Sequence, residues 1–296
     1  MKNKIVVLSF VLSLTALAMS FYAARQTGPI ERKNDYSAYD RVMAKNEIVC
    51  GIYPWAPAKT IDPTTKEWTG WAVDVYRRSF ATLDLNVKFK EVVIGNQVQD
   101  LNSGIIDAIC DDGPWTMSSG KFVAYSDPIM YAPVYPYVRI NETRFKTRAS
   151  LNNKDVRFIG IDGDLSNDLV GRLFPDTTLM SLPGTTDVSQ LYLNVAGGKA
   201  DIAIGDPEAF RGYEKHNPNK LRPLFQENPL GKYKVVISVK MGDSKMLSLV
   251  NQAVDNAITF GIVDDILSRV DPKHERILPV RDRAALLFED GKTRTK

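Results

Sequence analysis

The chain has 296 residues, 44% hydrophobic and 25% charged, with 38 basic residues against 35 acidic ones for a net charge of +3. This is ordinary globular composition, and length alone points to two domains of roughly 100–150 residues each. No Lys/Arg run marks a phosphate-binding surface, so nucleic acid is not an expected partner.

Residues 1–24 read as an export signal or an N-terminal anchor. Lys2 and Lys4 precede an apolar run from Ile5 to Met19, and Ala18-Met19-Ser20 offers small residues where a signal peptidase cuts. Left uncut, Ile5 to Ala24 has the length to span a bilayer. Residues 25–45 are polar and mixed in charge, a linker or a short leading helix. From Glu47 the pattern becomes strand, helix, strand. Val73, Tyr76, Phe80 and Leu83 share one helix face, Val87 to Val93 alternates as a strand, and Val98 to Asn102 predicts a short helix ended by Gly104. Ile105 to Cys110 reads as a buried strand. Trp68 is expected in an exposed turn. Cys50 and Cys110, each at the end of an apolar strand, are either one disulfide or two buried thiols.

Tyr125 to Val138 carries prolines at 128, 133 and 136, which forbid a helix and suit an extended connection. A second strand–helix series follows. Arg157 to Ile161, Ala200 to Ile204 and Tyr233 to Val239 read as strands. Leu191 to Val195, Leu247 to Ile258 and Ile262 to Val270 read as helices. The tail 282–296 is charged. Two alternating series mean an α/β chain with mostly parallel sheets and two lobes. Ligands of such sheets bind beyond the carboxyl ends of the strands, so the loops after Cys50, Cys110, Ile161 and Ile204 are the candidate site.

The order Gly51-x-Tyr53-Pro54-Trp55, Gly70-Trp71-x-Val73-Asp74, Leu101-Asn102-Ser103-Gly104, Val123-Ala124-Tyr125-Ser126-Asp127-Pro128, Gly198-Lys199-Ala200-Asp201 through Pro207, and Tyr233 to Lys240 resembles the family 3 periplasmic solute-binding proteins, which serve mainly polar amino acid ABC transporters. The resemblance implies the two-lobed periplasmic-binding-protein fold (type II), with a cleft between lobes and a two-strand hinge. Residues 46–138 and 232–281 would form lobe 1 and residues 139–231 lobe 2, closing on ligand. It implies a monomeric, periplasmic, non-catalytic binder with a small-molecule ligand, an inner-membrane ABC permease as partner, and no cofactor or metal. Membrane contact would come only through the N-terminal segment, if uncut.

The resemblance also places the ligand contacts, and this chain departs from several. Where the family holds the ligand carboxylate with an arginine, three residues after the threonine matching Thr116, this chain has Ser119. The family's Gly-Thr-Thr turn is here Gly163-Asp164-Leu165. The aspartate that pairs with a ligand ammonium is retained as Asp206, and the loop after Cys110 is Asp111-Asp112-Gly113-Pro114-Trp115. With Asp111, Asp112, Asp164 and Asp206 the cleft would be negative, and Trp55, Trp71 and Trp115 offer indole faces, which attract cations. A cationic or carboxylate-free ligand is the resulting expectation. Each residue also has a plainer reading: Asp111 or Asp112 as a turn residue, Trp71 as core, Asp164 as the cap of a helix from Leu165.

Two other classes compete. Some relatives of this fold are accessory or sensor proteins, for example of periplasmic oxidoreductases, and a degenerate pocket suits that role. A few are dehydratases, but their acid–base chemistry needs the anion clamp this chain lacks. His216 and His274 sit in polar turns, and no nucleophile or metal motif is recognisable.

Overall fold

In the computed structural model, residues 37–112 and 119–280 are described. The signal or anchor segment, the tail after 280, and Trp115 and Thr116 lie outside them.

The first apolar run forms β1 (Glu47–Ile52), which pairs in parallel with β4 (Asn86–Glu91) on one side and β5 (Ala108–Asp112) on the other. The crossover helix α2 (Trp71–Ala81) buries Val73, Tyr76 and Phe80 completely, as the helical spacing predicts. Truncating a buried phenylalanine of this kind costs about 3–5 kcal/mol. Residues 38–45 are not linker: α1 (Ala38–Lys45) buries Val42 and donates its Ala38 N–H to Asp243 Oδ2 at 3.0 Å. Trp68 is buried rather than exposed. It lies in β3 (Trp68–Thr69), hairpinned with β2 (Thr60–Ile61), and packs with Ile52 and Val73.

After the short α3 (Gln97–Asn102), β5 starts later than the apolar run suggests, and Ile105 is exposed. Ile105 donates its N–H to Asp100 O at 2.9 Å, still in the turn that ends α3. Asp107 then meets β1 twice: its N–H donates to Val49 O at 2.9 Å, and its carboxylate accepts from Val49 N at 3.0 Å as well as from Arg41 at 2.8 Å. Cys50 and Cys110 are bonded, with Cα atoms 5.6 Å apart.

Two long strands join the halves. β7 (Met130–Arg139) pairs antiparallel with β12 (Gly231–Lys240) along Met130–Val134, then with β10 (Ile202–Gly205) along Tyr135–Tyr137. β12 in turn leaves β7 after Val235 and runs beside β5 and β6 (Val123–Tyr125). β10 continues a second parallel set with β8 (Arg157–Ile161) and β9 (Thr178–Leu182). The order is therefore β4-β1-β5-β12-β7-β10-β8-β9: two parallel sets flanking an antiparallel pair. Helices α4 (Leu165–Leu173), α5 (Ser189–Ala196) and α6 (Pro207–Glu214) belong to the second set. Helices α7 (Ser244–Thr259) and α8 (Ile262–Val270) return to pack on α2. β11 (Leu221–Pro223) and β13 (Leu278–Pro279) both pair with β7.

One apolar core (Ile48, Tyr76, Phe80, Ile237, Val250, Leu267) serves the first half. Another (Val138, Phe158, Leu169, Ile202) serves the second. A third, containing Tyr53, Trp55, Ile94, Tyr137, Ile159 and Phe210, has members from both.

Candidate functional site

Beyond β1 the chain turns sharply through Tyr53-Pro54-Trp55. Trp55 and Lys59 exchange backbone bonds (2.8 and 3.0 Å), and the Ala56–Pro57 peptide between them is cis. Gly70 passes so near this loop that a Cβ there would lie 2.2 Å from Ala58 O, and its φ of +120° also excludes most side chains. That close approach delivers Trp71 at the start of α2 to the same place. The indole Nε1 of Trp71 is buried without a hydrogen-bond partner among the described residues.

From the other half, Asp206 ends β10 and caps α6. Its Oδ1 accepts from Glu208 N and Ala209 N, both at 2.9 Å, with Pro207 in the first helical turn. Its Oδ2 accepts from Trp55 Nε1 at 2.9 Å. Phe210, stacked on Tyr137 with ring centres 4.3 Å apart, and the fully buried Tyr192 hold α6 from behind. Burial pushes both tyrosine phenols up, so they stay neutral donors.

Two small chambers adjoin this bond. One, about 30 Å³, is lined by Trp55, Lys59, Trp71, Asp206, Tyr233 and Arg276, among others. The second, about 20 Å³, is lined by Trp55, Asp164, Ser166, Asp206 and Tyr233 with apolar neighbours. Asp164 caps α4, accepting from Ser166 N at 2.9 Å and from the Ser166 hydroxyl. Burial pushes its carboxyl above the ordinary range against those bonds.

Four of the residues singled out in the sequence thus meet here: Trp55, Trp71, Asp164 and Asp206. Asp111 and Asp112 end β5, Asp112 facing Val236 across the ladder. Ser119 opens a 3₁₀ turn (Ser119–Lys121) and lines neither chamber. Trp115 and Thr116 fall outside the described residues.

The sequence reading counted only carboxylates and missed two cations. Lys59 is fully buried, its Nζ 4.0 Å from the centre of the Tyr53 ring. Arg276 pairs with the buried Glu208 and with Asp271 at 3.3 Å. Among the four charged side chains lining the larger chamber, Lys59 and Arg276 balance Asp206 and Glu208. Lys59 was discoverable, four residues after Trp55 in one loop. Arg276 lies in a C-terminal segment with no motif, and bonds to Glu208 and Asp271 together with β13 bring it back. Among the described residues no cluster of His, Cys, Asp and Glu has metal-binding geometry.

The sequence profile of the bacterial extracellular solute-binding proteins, family 3, matches residues 48–269. The chain belongs to that family. This solute-binding protein is 28% identical over 211 residues, 70% of each chain, to the probable ABC transporter extracellular-binding protein YckB of Bacillus subtilis (strain 168). Its fold is similar to that of the solute receptor for L-cysteine of Neisseria gonorrhoeae, with TM-score 0.69 at 18% identity over 82% of this chain and 99% of that one. It is also similar to the ancestral amino acid-binding protein AncCDT-1, a precursor of cyclohexadienyl dehydratase, with TM-score 0.67 at 20% identity over 79% and 98% of the two chains. The two-lobed α/β architecture of the type II binding proteins is therefore the fold. As a family member the chain is an exported solute-binding protein of ABC transport, whose partners are a small molecule and a membrane permease.

Proposed function

We propose that this protein captures, in the periplasm, a small organic solute that presents a cationic or hydrogen-bond-donating group to Asp206 and is not held by a carboxylate clamp. The observation that carries this is Asp206 itself: a buried carboxylate with one oxygen committed to the α6 cap and the other turned to the indole of Trp55. The group that takes over that acceptor from Trp55 gains a charge-assisted bond to a buried carboxylate. Trp55, Trp71 and Asp164 complete the wall. No catalytic role is assigned to any of them.

We place the hinge where the strand partners change, between Val134 and Tyr135 on β7 and between Val235 and Val236 on β12. The segment between these points would form the second lobe. The test is a thermal-shift screen of the exported form against amino acids, polyamines and quaternary amines, because a ligand of the native state raises the melting temperature. A cationic or neutral solute should give the largest shift. Glutamate as the tightest hit would sink the ligand class.

A second reading is favoured by a specific observation. Trp55 is bonded across to Asp206, and the two chambers it lines are small. An accessory or sensor role, acting through a protein partner, fits a cleft occupied by its own side chain. No shift from any solute, with a protein partner captured by the exported form, would select it.

A further inference from the structure

Opposite the hinge, the halves meet backbone to backbone. The turn after β4, Val92–Asn96, lies against the turns after β8 and β9. A Cβ on Gly163 would sit 2.5 Å from Gly95 Cα and 2.8 Å from Gly95 N, and one on Gly184 would sit 2.3 Å from Ile94 O. Approaches under 3 Å to backbone cannot be relieved by turning a side chain. The contact is open to one side, where a gap of about 190 Å³ runs between Glu91–Ile94 and Gly184–Asp187. The seam and the Trp55–Asp206 bond are therefore two separate contacts between the halves, each made by a loop beyond a strand end.

We propose that Gly95, Gly163 and Gly184 form the seam on which the two lobes close, and that Gly184 is the positioning residue that sets how near they come. Gly163 has φ +81°, so a side chain there is strained in any arrangement of the lobes. Gly184 has no such restriction. Within its own half the nearest atom to a Cβ is Asp162 O at 3.3 Å, a tight approach that a shift of a few tenths of an ångström between two loops relieves. A methyl group at 184 thus asks only a small adjustment of the separate lobes and collides with backbone, 2.3 Å from Ile94 O, when they meet. It also restricts the unfolded chain, which favours folding slightly. Stability and closure should respond to Gly184→Ala in opposite directions, which a residue needed only for folding does not do.

The inference rests on the reading of a closing binder, and its test does not depend on knowing the solute. Lys88 and Lys199, both exposed and on opposite halves, are replaced by cysteines carrying nitroxide labels, with the native disulfide left oxidised. Inter-label distances are measured with and without a pool of the twenty amino acids, putrescine and choline. The population at the distance of this structure should fall at least about tenfold in Gly184→Ala, with the melting temperature unchanged or raised. Gly171→Ala, in an open position on α4, should leave the distribution unchanged. Equal distributions in the native protein and Gly184→Ala, or no native population at the closed distance, would overturn the proposal. If the seam responds while no solute shifts the melting temperature, the solute reading fails and the seam stands.

Discussion

The bond from Trp55 Nε1 to Asp206 Oδ2, 2.9 Å long and buried, links loops from the two halves, and its contribution can be isolated. Asp206→Ala removes the α6 cap, which costs about 1 kcal/mol. It also leaves the Trp55 N–H stranded, about 1–3 kcal/mol more. The sum, about 2–4 kcal/mol, lowers the melting temperature of a body this size by about 4–16 °C. Trp55→Phe removes the donor while keeping an aromatic in place. In the double variant the stranded N–H no longer exists, so its loss should be smaller than the sum of the singles by about 1–2 kcal/mol. Guanidinium unfolding of the four proteins measures this. Additivity within about 0.5 kcal/mol would mean that the bond does not couple the two loops, and the account of Asp206 as a shared acceptor would be wrong.

Three further outcomes follow from the structure. Glu142 is held down to about 2 by the hydrogen bonds of Arg144, against an ordinary value of 4.5. Burial works to raise the neighbouring Asp201, but bonds from Arg157 and Arg144 hold it below the carboxylate range. Stability from these groups is full above pH 4.5 and is lost as pH falls toward 2. The loss should reach up to about 3 kcal/mol for Glu142, and Arg144→Gln should flatten that limb of an acid titration followed by circular dichroism. Reducing the Cys50–Cys110 bond, which closes a 60-residue loop, should cost about 4 kcal/mol in denaturant unfolding. A loss under about 1 kcal/mol would place residual structure in the reduced unfolded chain. Asp164→Asn keeps a good helix cap and removes a carboxyl that burial pushes upward. Because the folded value is raised, ionisation costs stability as pH rises through it. The variant should therefore match the native protein at low pH and equal or exceed it at pH 7 in thermal melts, with solute affinity unchanged if Asp164 is only a cap.

The repeating strand–helix order was legible because it rests on periodicity, and α2 with Val73, Tyr76 and Phe80 falls where the spacing places it. Motifs carried Asp206 and Trp55 to the cleft. What stayed hidden depends on partners distant in sequence. Trp68 looks like a turn residue until Ile52 and Val73 cover it. Ile105 looks like a strand residue until its N–H turns back to Asp100 O at the end of α3. The charge balance of the cleft was misread because Arg276 is brought there by partners remote from any motif: Glu208, Asp271 and the pairing of Leu278 with Tyr131. Local pattern says which residues are apolar or charged; it does not say which charges will share a chamber.

Val134 faces Gly231 across the ladder, so everything from 135 to 230 leaves the chain and rejoins it at one doorway. A stretch with adjoining ends is a cassette. Outside it, β1, β4, β5 and β12 keep the core of Ile48, Tyr76, Phe80 and Ile237, while Tyr53, Trp55 and Ile94 share theirs with Tyr137, Ile159 and Phe210 inside it. Exchanging it for the matching stretch of a relative would replace Asp164 and Asp206 together while Trp55 and Trp71 stay. Recombination at two points would thus alter the chambers in a single step, provided the incoming stretch keeps the packing shared with Tyr53, Trp55 and Ile94.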